Sequence, residues 1–340
     1  MTATRISDIV VPDIFTLYGT VRSLSKDVLV TSGIAVQNAK LQQAIMGGGT
    51  SIKMPFFKAL TYTEPNASSD DPSSSSSPQA HSTGTDIAFK QPVNQSWATM
   101  DLADDQSGEI IVDDNVKKVE DYWQEDRQRR YVNSAQGLIL DSVASHVSDM
   151  VEDVSAADGA AAIASNLITA TGVINAAATM GDIIDALTMM AVHSTVFTNM
   201  QHNELIDYVT DANTQKEIPT YMGMKVLVDD TLFTRAYGDE GFSKVKYTTL
   251  LFGQGAFGVA AGSSAFTATA YEQDEAAGDG AGMETMYSRR QWIIHPFGYT
   301  FVGANMDAEA PTLVELATAA NWTRNDTRKS IKIAALLSNG

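Results

Sequence analysis

The sequence predicts an α+β fold, and three observations carry that reading. From Asn115 to about Met150, apolar residues recur at helical spacing: Val116, Val119 and Trp123 fall on one stripe, Ile139, Val143, Val147 and Met150 on another. Two shorter segments alternate with period two instead. Ile52, Met54 and Phe56 interleave with Ser51, Lys53 and Pro55, and Ile87, Phe89 and Val93 are spaced by Ala88, Lys90 and Pro92. Further on, Met224 to Val228 and Tyr247 to Phe252 read as strands that follow two helix-like segments.

The N-terminal 45 residues mix short apolar pieces such as Ile14, Phe15 and Leu17 with isolated charges, and Gly47-Gly48-Gly49 closes them. They read as an extended arm with one or two helical turns. The two alternating segments that follow are expected to form one hairpin. Between them lie Asn66-Ala67-Ser68-Ser69-Asp70-Asp71-Pro72, five serines and Pro78, too polar to offset the entropy of ordering and so expected as a mobile tip. Pro55 and Pro92 each lack a ladder donor, which suits an edge or a projecting ribbon better than the middle of a sheet.

The stretch before the long helix is acidic, with Asp101, Asp104, Asp105, Glu109, Asp113 and Asp114; acid there complements the helix macrodipole. At ~1.5 Å per residue the helix would run roughly 50 Å, and Gly137 argues against its continuity. Residues 155 to 178, rich in Ala, Ser and Thr, read as connections. Asp182 offers a cap for a helix carrying Ile183, Leu187 and Met190, and Asn199 precedes one carrying Leu205, Ile206 and Val209. A polar loop around Asp239 separates the two later strands, and residues 265 to 303 alternate as further strands, interrupted by a flexible Ala276-Ala277-Gly278-Asp279-Gly280.

Composition bounds the function. A chain of 340 residues with 44% hydrophobic and 19% charged content can bury a core and fill about two domains. It has no cysteine, so no disulfide framework and no thiolate metal site, which fits a reducing cytoplasm. Met1 to Asp8 lacks the apolar stretch of a signal peptide, and no run approaches 18 apolar residues. Neither secretion by that route nor a membrane span is expected. With 23 basic against 41 acidic residues the net charge is −18, so any nucleic acid nearby should be enclosed and not gripped.

No catalytic constellation emerges. Gly253-Gln254-Gly255-Ala256-Phe257-Gly258 matches the dinucleotide fingerprint, with Glu272 near the ribose-acid distance, but Val259 to Ser264 is broken by glycine and serine where a helix should begin. Those glycines are expected to serve tight turns and close backbone approach. Asp104-Asp105, Asp113-Asp114 and Asp229-Asp230, with Glu272, Asp274 and Glu275, could hold a hard cation but follow no calcium-loop spacing; solvated charge is the simpler reading. His193, His202 and His295 lack metal-ligand spacing and read as core or capping residues. No GxSxG turn is present.

Several segments, in order, resemble one family. Tyr122-Trp123-Gln124-Glu125-Asp126-Arg127-Gln128-Arg129-Arg130, leading to Ala135-Gln136-Gly137-Leu138, is similar to the spine helix of tailed-bacteriophage coat proteins. Gly181-Asp182 to His193-Ser194 resembles the first helix of their A domain. Pro219-Thr220-Tyr221-Met222-Gly223 with Val226-Leu227-Val228-Asp229-Asp230 resembles a strand entry of that family, as does Tyr247 to Ala256. Arg289-Arg290-Gln291-Trp292-Ile293-Ile294-His295-Pro296-Phe297-Gly298, then Pro311-Thr312 through Glu315-Leu316-Ala317 to Asn321-Trp322, strengthen the likeness. The resemblance is to major capsid proteins of the Hong Kong 97-type fold.

It implies an N-terminal arm over residues 1–49, an extended hairpin or E-loop over 50–95 with its tip near 66–83, a P domain with the spine helix over 96–180, an A domain over 181–262, and return strands over 263–340. It also implies self-assembly as hexamers and pentamers into the icosahedral head of a tailed double-stranded DNA phage, with an encapsulin-like nanocompartment as the alternative. The expected location is the virion capsid, after assembly in the host cytoplasm. Implied partners are other copies, a portal, in some heads a decoration protein, and, since no extra scaffolding domain precedes the arm, a separate scaffolding protein, the alternative being a sequence already trimmed. No enzyme activity, cofactor, metal or membrane is implied. Ile52, Met54, Phe56, Ile87 and Phe89 are the expected assembly contacts. Val192 stands where many relatives carry Met before His-Ser, a small packing difference. Some relatives join neighbours by a lysine–asparagine bond; Lys53, Lys58 and Lys90 lie near the ribbon, but no catalytic acid is identifiable and the bond is not expected.

The charge balance yields a first test. The isolated chain should show no submicromolar affinity for duplex DNA in a gel shift at physiological salt, because too few cations are present to displace counterions.

Overall fold

The computed structural model describes residues 32–68, 70–73, 75–107, 111–157, 162–210, 217–237, 244–262 and 268–339. Most of the expected arm and the loop around Asp239 lie outside them. The chain opens with strand β1 (Ala35–Gln37) and helix α1 (Ala39–Ile45), which Asn38 caps by accepting from the Lys40 N–H at 2.9 Å. Leu41 and Ile45 are the buried face of α1.

Strands β2 (Ser51–Phe57) and β3 (Thr83–Met100) form the expected hairpin, in register from Ser51 opposite Phe89 to Phe57 opposite Thr83. Ladder bonds at Lys90 to Thr50 and Lys58 to Ser82 place the even residues of β2 in hydrogen-bonded pairs. Pro55 therefore turns its ring nitrogen to the free edge of β2, and Pro92 turns its own to that same side, past the end of the β2 pairing.

Helix α2 (Asp101–Ser107) occupies part of the acidic stretch, with Asp101 and Asp104 in its first turn. Helix α3 (Ile111–Ser145) is 35 residues long. Val119, Trp123, Tyr131, Val132, Ala135, Leu138 and Ile139 are its buried face. The expected second stripe is corrected: Val143 faces solvent, while Val147 and Met150 lie beyond the last helical residue. Gly137 does not interrupt α3; it permits a close approach. A Cβ there would stand 2.2 Å from the Leu316 carbonyl oxygen and 2.3 Å from Trp322 Nε1, two groups joined by a 2.7 Å hydrogen bond.

Strand β4 (Val151–Asp153) leads to helix α4 (Ala170–Ala178), whose Val173, Ala176 and Ala177 are buried, so the span read as mere connection contains packed structure. The two helix-like segments beyond are also corrected. Leu187 to Val192 is strand β5, preceded by 3₁₀ turns over Gly181–Ala186. Helix α5 (Ser194–His202) includes Asn199, and Val209 belongs to strand β6 (Asp207–Thr210). The physical reason lies in the burial of β5. Its Met189 and Ala191 enter one core, with Leu250, Phe252 and α3, while Leu187, Met190 and Val192 enter another, with α4 and α5. A strand buried on both faces loses its alternation, and the remaining apolar run can mimic a helix.

The remaining strands are β7 (Glu217–Tyr221), β8 (Met224–Val228), β9 (Thr234–Tyr237), β10 (Lys244–Gly253), β11 (Phe257–Gly262), β12 (Thr269–Asp274), β13 (Met283–Pro296), β14 (Tyr299–Phe301), β15 (Trp322–Arg324) and β16 (Ile333–Asn339). One sheet runs β1-β11-β13-β3-β2, with β12 also on β13; the other runs β4-β16-β10-β5-β8-β7-β6, with β9 on β10. The boundaries expected at 181 and 262 do not coincide with these sheets: β11 joins the sheet of the hairpin, and the C-terminal β16 joins that of β5 to β10. Between β12 and β13, Ala277–Gly280 makes a helical turn with positive φ at Gly278, Asp279 and Gly280.

Gly137→Ala tests the close approach. Alanine raises helix propensity by about 1 kcal/mol, yet the overpacking it forces costs about 1–3 kcal/mol. Net destabilisation is expected in urea unfolding; a stabilised variant would show that Trp322 can give way.

Candidate assembly surface

The hairpin is the element in which the expected contacts concentrate, and the chain already uses part of it. Ile52 and Met54 pack against Leu41, Ile45, Ala88, Ala260 and Ile293. Phe89 packs on the main core, its ring 6.0 Å from that of Phe301. The buried Lys90 donates from Nζ to the Gly47 carbonyl, tying the hairpin to the glycine turn before it. Ile87 is half-buried, and its N–H donates to Thr300 Oγ1 at 3.0 Å. Phe56, also half-buried, lies across Gly84, where a Cβ would meet its ring at 2.5 Å. Ile52, Met54 and Phe89 thus serve the subunit's own interior.

Exposed apolar surface begins one residue further out. Phe57, Leu60 and Tyr62 are 77%, 66% and 85% exposed. Residues 58–68 have no regular structure, so the non-alternating extension starts at Lys58, ahead of the expected tip near 66–83. A scan for alternating residues passes over these three; their signal is apolar character outside any periodic pattern.

Midway along the hairpin ladder, opposite Met54, Asp86 is buried against the β13–β14 turn. It accepts from the Gly298 N–H at 3.2 Å and from Asn325 Nδ2 at 3.1 Å, with His295 Nε2 at 3.7 Å. Burial pushes its carboxyl up, but His295, Asn325 and the Gly298 N–H together outweigh that and hold it below the usual carboxylate range. Beside it opens a cleft of about 270 Å³ lined by Met54, Pro55, Phe56 and Phe297 on apolar sides and by Asn38, Lys40, Asp86 and Asp326 on polar ones.

The other chemical candidates have local partners. Gly253 to Gly258 leads into strand β11, so the helix that a pyrophosphate needs is replaced by sheet. Gly255 has φ +68°, and Cβ atoms on Gly253 and Gly258 would meet the Ala186 carbonyl at 2.4 Å and the Phe297 ring at 2.7 Å, as tight turns and close packing require. Asp230 is not merely solvated: the Ser194 N–H donates to it at 3.0 Å at the start of α5, and bonding to Ser194 holds its carboxyl low. Asp229 accepts from Thr231 and from Gln128. Glu272 accepts from Tyr287 Oη at 2.8 Å, and Asp274 from the Ala276 N–H at 3.1 Å. His193 caps α5, accepting from the Thr195 N–H. Among the described residues no three His, Cys, Asp or Glu side chains converge as metal ligands, and no helix is long and apolar enough to cross a membrane.

No family model matches the chain. It is 28% identical over 337 residues to the major capsid protein of Bacillus phage SPP1, covering 98% of this chain and 97% of that one. Its fold is that of tailed-phage capsids. The capsid of Ralstonia phage GP4 superposes with a TM-score of 0.60 at 10% identity, covering 100% of this chain and 98% of the other. The capsid of cyanophage Pam1 gives 0.58 at 10% identity, covering 97% of each.

Asp86 gives a pH prediction. A carboxyl held low in the fold contributes stability above the unfolded value near 4, and that contribution fades as pH falls through the folded value. Asp86→Asn should therefore cost about 1.5–3 kcal/mol at pH 7, with the gap to the parent closing below about pH 4. A gap independent of pH in denaturant titrations would refute the assignment.

Proposed function

This chain is a major capsid protein of the tailed-phage type with the Hong Kong 97-type fold, and we propose that its copies, as hexamers and pentamers, close an icosahedral head around double-stranded DNA. The supporting observation is the near full-length likeness to a phage major capsid protein, together with a packed body from which a ribbon projects with uncovered apolar residues. The relatives named above are phage capsid proteins, not encapsulins, which favours the enclosed genome over an enclosed enzyme. The protein belongs in the virion capsid and works as structure; our reading is that it has no catalytic role.

In this reading the hairpin is the E-loop, α3 and the sheet around β13 form the P domain, and β5 to β10 with α4 and α5 form the A domain, joined by β16. A separate scaffolding protein guides assembly in the host cytoplasm, a portal occupies one vertex, and a decoration protein is a further candidate partner. The net charge of −18 suits a wall that encloses DNA without gripping it.

The ribbon separates folding from assembly. Replacing Phe57, Leu60 and Tyr62 together by serine should leave circular dichroism unchanged and abolish sedimenting shells, because these side chains are exposed in the subunit. Phe89→Asp should instead lose about 2 kcal/mol or more of subunit stability, since it sets a charge against the core where half-buried Phe89 packs. Shortening Ser68 to Pro78 should spare both properties. Complete shells from the triple serine variant would remove the ribbon from the assembly contact.

A further inference from the structure

We propose that the cleft lined by Met54, Phe56 and Phe297 binds a small zwitterion, an ammonium and a carboxylate joined through a short apolar body. The inference goes beyond the capsid reading and does not depend on it. With a volume of about 270 Å³ the cleft suits a ligand of few heavy atoms and excludes a large cofactor. Its lining combines three kinds of surface.

Phe56 and Phe297 supply two aromatic rings and Met54 a thioether, a lining that favours an alkylated ammonium over a strongly hydrated inorganic ion. Asp86 and Asp326 bring two carboxylates to the same space. Burial opposes the charge of Asp86, but His295, Asn325 and the Gly298 N–H keep it ionised, so the charge persists at the wall of the cleft. Asp326 accepts from the Thr327 N–H at 2.7 Å through one oxygen, which leaves the other for a ligand.

The opposite sign enters from the start of α1. Lys40 is exposed and contributes an ammonium, while Asn38 uses its side-chain oxygen to accept from the Lys40 N–H and keeps its amide nitrogen as a donor. A plain cation would meet repulsion from Lys40, and a plain anion would meet Asp86 and Asp326. A zwitterion matches both charges, and its apolar body covers the rings. Because the lining comes from α1, β2, β3 and the turns that follow β13 and β15, such a ligand would also tie the hairpin to the body.

Glycine betaine is the probe, titrated into the unassembled chain by calorimetry at constant ionic strength, with choline and propionate as probes that each carry one of its two charges. Saturable binding of betaine in the millimolar range is expected, at least about fivefold tighter than either single-charge probe. Phe297→Leu should weaken betaine and choline alike by about fivefold, whereas Lys40→Gln should weaken betaine and spare choline. Lys53→Gln, outside the cleft, should change neither, and circular dichroism checks that every variant is folded. Absence of saturable heat from the parent chain overturns the proposal, as does binding that survives both Phe297→Leu and Lys40→Gln unchanged. A parent chain that prefers choline to betaine would overturn it too, by assigning the cleft to simple cations.

Discussion

One continuous hydrogen-bond ladder sets the mechanics of this subunit. Strand β3 is 18 residues long, and it belongs to the ribbon at one end and to the body at the other. Thr83 to Phe89 pair with β2, while Lys90 to Met100 pair with β13. The handover occurs at Lys90, whose N–H donates to Thr50, whose register partner on β13 is Ile293, and whose buried ammonium is held by Gly47. With no loop between the two ladders, a force on the ribbon passes directly into the sheet that carries β11, β12 and β13. Long α3 packs against that sheet, where Trp123 Nε1 donates to Ser288 at 2.9 Å.

The second organising feature is a sheet that divides two cores. Alternate residues of β5, β10 and β16 point into the α3 side and into the α4/α5 side. This explains why the sequence was legible in some places and opaque in others. Strands with one wet face, such as β2, kept their alternation and could be read. In β5, Leu187 to Val192 is apolar on both faces, and its spacing to Ile183 imitates a helical stripe. Gly137 misled for a related reason. Its meaning depends on Leu316 and Trp322, far away along the chain, and no local pattern contains them.

The candidate surface was legible in outline and not in detail. Alternation located the hairpin and its register, but a period of two cannot say which neighbour covers a face. Ile52 and Met54 are covered by α1, and Phe89 by Phe301, all within one chain. The resemblance of short segments along the chain anticipated the family, because it summed weak signals over the whole length. The role of Asp86 was beyond reach, since its partners Gly298 and Asn325 converge only after β13 and β15 have turned back over the hairpin.

Pro55 and Pro92 present no N–H to the open flank of the ribbon. A protein made in many copies must accumulate before it is used, and a bare strand edge at high concentration invites another strand to add to it without limit. With donors missing at two places on one side, such growth lacks part of the ladder it would need. Neighbours are left to recognise one another through side chains, which can let go and try again. Errors in a growing lattice then remain correctable, whereas a fibril would be permanent.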